Sequence, residues 1–169
     1  MDSTHIHLIL NHFPIVGILF GIAILSCGLI IKNKVLKNTA FVIFILTALV
    51  AIPVFLTGEA AEDRVEDIAG VSESLLEEHE ETAEKAIWVM QFLGLFSVIS
   101  LLASVKNLSF SRVITFLSLV LALLTFGIMA KVGNLGGQIR HSEIRDEFVN
   151  RPLNNANVDY DEDDDEHEH

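Results

Sequence analysis

Four long apolar blocks constrain the fold of this chain more than any other feature. Each block contains about 19 to 24 residues, and a helix rising 1.5 Å per residue needs roughly 20 apolar residues to cross about 30 Å of hydrocarbon. The only charged residue in the blocks is Arg112, and the blocks are 8–31, 39–57, 86–105 and 108–130. The sequence therefore predicts an all-α fold, a four-helix transmembrane bundle embedded in a lipid bilayer.

The first block is expected to stay in the membrane as an anchor. Its leader, MDST, carries no positive charge, and no small-x-small cleavage site follows the block. Residues 1–150 are therefore expected to form one transmembrane domain. The remaining segment, 151–169, is an acidic tail ending in DYDEDDDEHEH, for which the sequence predicts disorder. The single cysteine, Cys27, lies within the first block, and no C-x-x-C-H motif for covalent haem attachment is present.

The distribution of charge predicts which way the bundle sits in its membrane. The two short turns, 32–37 and the stretch from Lys106 to Arg112 at the start of the fourth block, carry five basic residues and no acid, whereas all 23 acidic residues lie on the side of the termini. Short loops rich in lysine and arginine stay in the cytoplasm. Both termini and the loop 58–85 are therefore expected outside, on the periplasmic face of a bacterial inner (cytoplasmic) membrane.

Two segments outside the blocks are expected to present histidines. Residues 74–77, SLLE, have capping-box spacing, so the third helix is expected to begin near residue 75 and to carry His79 about 10 Å above the bilayer edge. After the fourth block, three glycines are expected to let the backbone turn before His141; they are Gly133, Gly136 and Gly137. The first and third helices are therefore expected to extend beyond the membrane.

Five of the seven histidines map to one end of the predicted bundle. Counting back from Ile31 puts His12 near the outer boundary and lifts the two histidines before it about 7 to 10 Å higher. Ionisable groups at this depth are rare without a function. The histidines are His5, His7, His12, His79 and His141.

Helical angles separate the histidines of the first segment. His5 and His12 are seven residues apart and share a face, whereas His7 and His12 differ by about 140°. One metal cannot readily take both His7 and His12 from a straight helix. If both are ligands, they belong to two sites, with His79 and His141 as the available partners.

A bis-histidine haem also needs an apolar slot between helices. Gly17 and Gly21, four residues apart, are candidates for this slot together with four aromatic residues: Phe13, Phe20, Trp88 and Phe92. Close helix–helix packing is the alternative interpretation of the glycine pair, and core filling is that of the aromatic residues.

The chain resembles a large family of uncharacterised bacterial membrane proteins whose first helix opens with a pattern such as HPLLVHFP. The matching residues are His7 with His12-Phe13-Pro14, Thr57-Gly58, His79-Glu80 with Ala83, and Gly136-Gly137 with Arg140-His141. Leu8 stands where the family usually has proline, which affects the start of the helix. The resemblance implies His7, His12, His79 and His141 as site residues and leaves His5 as an extra. Frequent association of the family with c-type cytochrome modules implies redox work.

The leading hypothesis is a membrane b-type haem protein, a cytochrome b with one or two haems, that carries electrons at the periplasmic face. A c-type cytochrome or a respiratory complex would be its partner, and a homo-oligomer is left open. The alternatives are a copper- or zinc-binding membrane protein that uses the same four histidines, and a structural subunit of a respiratory complex. The sequence contains no nucleophile elbow, phosphate loop or H-E-x-x-H motif, so enzymatic chemistry has little support. The net charge of −12 opposes nucleic-acid binding.

Overall fold

The computed structural model describes residues 10–65 and 73–140, and these segments form four helices. They are α1 (His12–Ile30), α2 (Lys34–Val65), α3 (Glu73–Val105) and α4 (Ser111–Arg140). Each helix is long and apolar enough to cross a membrane. The prediction of an all-α, four-helix transmembrane bundle is therefore confirmed. The acidic tail, 151–169, lies outside the described residues.

Each helix packs against the helix that follows it, and α4 also packs against α1. The connections from α1 to α2 and from α3 to α4 are short turns, so these helices run antiparallel. We call the end that contains these two turns the basic end. The opposite end contains the start of α1, the end of α2, the start of α3 and the end of α4, and we call it the acidic end.

Two similar turns close the basic end. Lys32 and Asn107 both have positive φ angles, 55° and 52°, which is the left-handed conformation that commonly terminates helices. After the first turn, the Oδ1 atom of Asn33 accepts a hydrogen bond of 2.8 Å from the backbone N–H of Val35 and so caps α2. The Lys34 ammonium donates to Asn107 Oδ1 at 2.7 Å, which ties the two turns together.

Glycines allow α2 to approach its two neighbours closely. A Cβ atom placed on Gly17 would collide with Thr47, and one placed on Gly21 would collide with the ring of Phe44. On the other side of α2, a Cβ on Gly94 of α3 would come within 2.5 Å of the Ala48 Cβ. In a bilayer this close packing replaces hydrophobic burial as the source of helix association.

Several polar side chains inside the bundle bond to backbone or to one another. Ser100 and Ser118 share a buried hydrogen bond of 2.8 Å between α3 and α4. The Ser104 hydroxyl donates to Asn38 Oδ1 at 2.6 Å, and the Gln91 amide donates to the Ala48 carbonyl at 2.9 Å, so both link α3 to α2. Such bonds matter because unsatisfied polar groups are costly in hydrocarbon.

Three of the helices extend beyond their apolar blocks. The third helix, α3, begins 13 residues before its block (86 − 73), α4 continues 10 residues past its block (140 − 130), and α2 continues 8 residues past its block (65 − 57). The helix α1 lies within its block. The expected turn at Gly133, Gly136 and Gly137 is therefore wrong, because the backbone stays helical through all three glycines. The expected start of α3 ahead of its apolar block is confirmed: the helix begins at Glu73, about two residues before the predicted start.

Candidate functional site at the acidic end

The first candidate ligand, His12, is the first residue of α1 and has an exposed side chain. Pro14 follows in the first turn, where its missing N–H costs no helical hydrogen bond, and its side chain is buried. From His12, the 19 residues of α1 lead to the basic end. This length agrees with the prediction that His12 lies near one boundary of the membrane.

The second candidate ligand, His79, lies on the part of α3 that precedes the apolar block. Seven residues of helical rise separate His79 from Ala86, or about 10 Å along the axis. Its imidazole is half-buried, and the Nδ1 atom is buried. The sequence-based placement of His79 on a helix above the apolar span is thus confirmed.

A glycine of α4 provides the surface against which His79 packs. A Cβ atom placed on Gly136 would lie 3.2 Å from Cε1 and 3.7 Å from Nδ1 of the imidazole. Any larger side chain at position 136 would press on the ring. Gly136 therefore serves for close approach between α3 and α4, and not for a turn.

A polar contact near His79 also joins α3 to α4. The Lys131 ammonium lies 2.9 Å from the Glu78 carboxylate, and both side chains are about half exposed. Along α4, the Gln138 amide donates to Asn134 Oδ1 at 2.6 Å. One turn earlier, Gly133 lies near Ile15 of α1, since a Cβ on it would come within 3.8 Å of Cδ1. The end of α4 thus contacts both helices that carry candidate histidines.

The other histidines lie outside the described residues. This applies to His5, His7 and His141 as well as to His167 and His169 of the tail. Within the described segments, no group of three His, Cys, Asp or Glu side chains is arranged to hold a metal ion. The ligand set of His7, His12, His79 and His141 therefore stays a prediction, of which the structure describes two members at the same end of the bundle.

The apolar slot predicted between helices is not formed by its candidate residues. Thr47 and Phe44 of α2 fill the space beside Gly17 and Gly21, so the glycine pair serves helix packing. The four aromatic side chains are each at least 60% exposed on the outside of the bundle; they are Phe13, Phe20, Trp88 and Phe92. Close helix packing, the alternative interpretation of the glycine pair, is therefore confirmed, whereas the four aromatic side chains neither line a slot between the described helices nor fill the core.

Asn11 is a polar residue of this end to which the sequence analysis assigned no role. Its Oδ1 atom is buried, and it has no hydrogen-bond partner in the part of the chain that the structure describes. It precedes α1 but makes no capping hydrogen bond with its side chain. In the sequence, the position of this polar residue between an apolar run and His12 could have indicated a role, because polar groups at a membrane boundary require hydrogen-bond partners.

The fold and this end together define the class of the protein: a helical bundle with four candidate membrane spans and two histidines near one end. Comparisons with protein-family models, with curated proteins and with solved structures find no match. The geometry of the acidic end is therefore the basis for a functional proposal.

Proposed function

We propose that the protein is a b-type haem protein of a bacterial inner membrane that carries electrons at its acidic end. The observation that carries the proposal is the imidazole of His79, held against Gly136 by the packing of α3 on α4. Since Nδ1 is buried, iron would be ligated through Nε2. The other residues that would hold the haem are His7, His12 and His141, and two haems would use all four histidines.

The packing of the bundle restricts where a haem would bind. Large side chains with 0% exposure fill the interior between the helices: Ile18, Leu25, Phe41, Phe44, Met90 and Leu93. This packing argues against a porphyrin between the spans and supports the acidic end as the place where it would bind. The chain's own part in the chemistry is to supply the imidazoles and to fix their orientation, while the haem supplies the electron-accepting iron.

Asn11 supports a ligand at this end. A ligating histidine usually donates its other ring N–H to a carbonyl or carboxylate, which fixes the orientation of the ring. The buried Oδ1 atom of Asn11, adjacent to His12 in the chain, is an acceptor suited to such a donor. The amide would then act as a positioning group for the imidazole.

The charge of the acidic end supports a basic redox partner. The described start of α3 carries six glutamates before the apolar span and one lysine, at position 85; the glutamates are Glu73, Glu77, Glu78, Glu80, Glu81 and Glu84. Such a surface attracts and orients a basic partner, for example a c-type cytochrome, and salt weakens the attraction. The basic turns at the opposite end support a cytoplasmic location for that end and a periplasmic one for the acidic end.

Reduced-minus-oxidised absorption spectra of the purified protein test the proposal. A Soret band and an α-band are expected, with haem quantified per chain. His79→Ala and His12→Ala are expected to lower or abolish the bands. The matched control is His5→Ala, since His5 lies outside the proposed ligand set and its loss is expected to leave the spectrum unchanged.

Two other results would assign a different function. Stoichiometric copper or zinc without porphyrin, measured by elemental analysis, would make the histidines a metal site. The protein would instead be a structural subunit if it contained neither metal nor porphyrin and if two variants, His12→Ala and His79→Ala, left the assembly and activity of an associated respiratory complex unchanged. Either result would refute the haem proposal.

A further inference from the structure

A groove lies on the outside of the bundle between α2 and α3. It has a volume of about 340 Å³ and is open to its surroundings; six residues line it, namely Phe55, Glu80, Glu84, Ile87, Trp88 and Gln91. The residues of α3 share one face because they recur at three- and four-residue spacing. The groove contains no histidine and lies apart from the packing of His79 on Gly136.

The groove crosses the boundary between the apolar span and the charged part of α3. Glu80 and Glu84 come before the first residue of the apolar block, Ala86, whereas Ile87, Trp88 and Gln91 come after it. Trp88 is 69% exposed, as is usual for tryptophan at a membrane–water interface. The upper part of the groove is thus anionic and its lower part is mainly apolar.

The charge of the groove selects its occupant. Glu80 and Glu84 are exposed and one helical turn apart, so an ammonium group can donate to both carboxylates. The two described lysines closest in sequence or space to this part of α3 pair elsewhere: Lys85 with Glu81 at 3.0 Å, and Lys131 with Glu78 at 2.9 Å. An aromatic ring below the carboxylates adds a favourable surface for a cation.

We propose that this groove binds a phospholipid with a primary ammonium headgroup, such as phosphatidylethanolamine. The ammonium group donates to Glu80 and Glu84, and the start of an acyl chain lies against Phe55 and Trp88. The groove's volume of about 340 Å³ lies within the range of small-molecule sites. At this depth, headgroups surround the bundle on every side, so the occupant is present at high local concentration.

Native mass spectrometry of the detergent-solubilised full chain tests the proposal. Phosphatidylethanolamine, phosphatidylcholine and phosphatidylglycerol with identical acyl chains are titrated in parallel. The ethanolamine lipid is expected to bind most tightly, because its ammonium group donates hydrogen bonds that a trimethylammonium group cannot. The anionic glycerol lipid is expected to bind least, because the carboxylates repel it.

Charge-neutral variants locate the binding. Glu80→Gln with Glu84→Gln is expected to weaken binding of the ethanolamine lipid about tenfold, or about 1.4 kcal/mol. Glu73→Gln with Glu77→Gln removes two charges from the same helix outside the groove, leaves both lysine pairs intact and is expected to leave binding unchanged. Trp88→Ala is expected to weaken the ethanolamine and choline lipids alike, because it removes apolar contact and no hydrogen bond to the headgroup.

Three results would overturn the proposal. The first is equal binding of the three lipids, and the second is an equal loss of lipid affinity in the groove variant and in its control. The third is a dimer that Trp88→Ala dissociates, because such a dimer would assign the groove to a second copy of the chain. Circular dichroism of each variant verifies that it is folded. If the double variant does not fold, Glu84→Gln alone provides the same comparison.

Discussion

Replacing Gly21 by alanine is expected to destabilise the bundle measurably. The new Cβ would lie 2.7 Å from Cδ1 and 2.9 Å from Cζ of Phe44, a side chain with 0% exposure. Since carbon atoms pack at about 3.5 to 4.0 Å, α1 and α2 must separate by roughly 1 Å or the ring must leave its position. Overpacking of this kind costs about 1 to 3 kcal/mol.

The helix itself gains from the same substitution, so the net effect is smaller than the clash. Glycine in a helix interior is about 0.5 to 1 kcal/mol less favourable than alanine. The expected net loss for Gly21→Ala is therefore about 1 kcal/mol of unfolding free energy, from a range of about 0 to 2.5 kcal/mol. Gly127→Ala is the matched control, because a Cβ at that position meets nothing within 4 Å, and it is expected to be neutral or slightly stabilising.

Unfolding in mixed micelles, followed by circular dichroism as sodium dodecyl sulfate is added, measures both variants on one scale. Phe44→Leu removes the ring atoms that the new Cβ would meet. Its combination with Gly21→Ala is therefore expected to lose less stability than the sum of the two single variants. Equal stability of Gly21→Ala and Gly127→Ala would refute the packing of α2 against the glycine pair.

Two further substitutions test the buried hydrogen bond and the candidate site. A double-mutant cycle of Ser100→Ala and Ser118→Ala is expected to show a coupling of about 0.6 kcal/mol in the same micelle titration, the average for such bonds in a membrane. The control, Ser97→Ala, removes a buried hydroxyl that has no hydrogen-bond partner among the described residues, so it is expected to cost no hydrogen-bond energy. A loss of stability as large as that of Ser100→Ala would contradict this expectation. Gly136→Ala is expected to press on the ring of His79 and to shift the haem absorption bands or the reduction potential, while the helix content stays constant. An unchanged potential and an unchanged spectrum would show that Gly136 does not affect the proposed site.

The sequence was sufficient to predict four spans because the bilayer sets a minimum length for an apolar helix. It was not sufficient for the ends of α2 and α4. Hydropathy reports where apolar side chains stop, whereas a helix satisfies its backbone internally and continues past that point until another feature terminates it. The helix therefore runs on to Val65 in one case and to Arg140 in the other.

Glycines explain the remaining differences. The same residue permits a turn or a close contact, and the sequence does not distinguish the two uses when the partner is distant in the chain. Gly136 packs against His79, which is 57 positions earlier (136 − 79 = 57), and Gly21 packs against Phe44 of the next helix. The predicted position of His79 on a helix is confirmed because that prediction rested on its own helix alone.

The haem content of the purified, full-length protein tests the central claim most directly. The account predicts a Soret band, an α-band on reduction, and one or two haems per chain by quantitation of the extracted porphyrin. Protein that shows no Soret band and contains no porphyrin after haem-supplemented expression would contradict it.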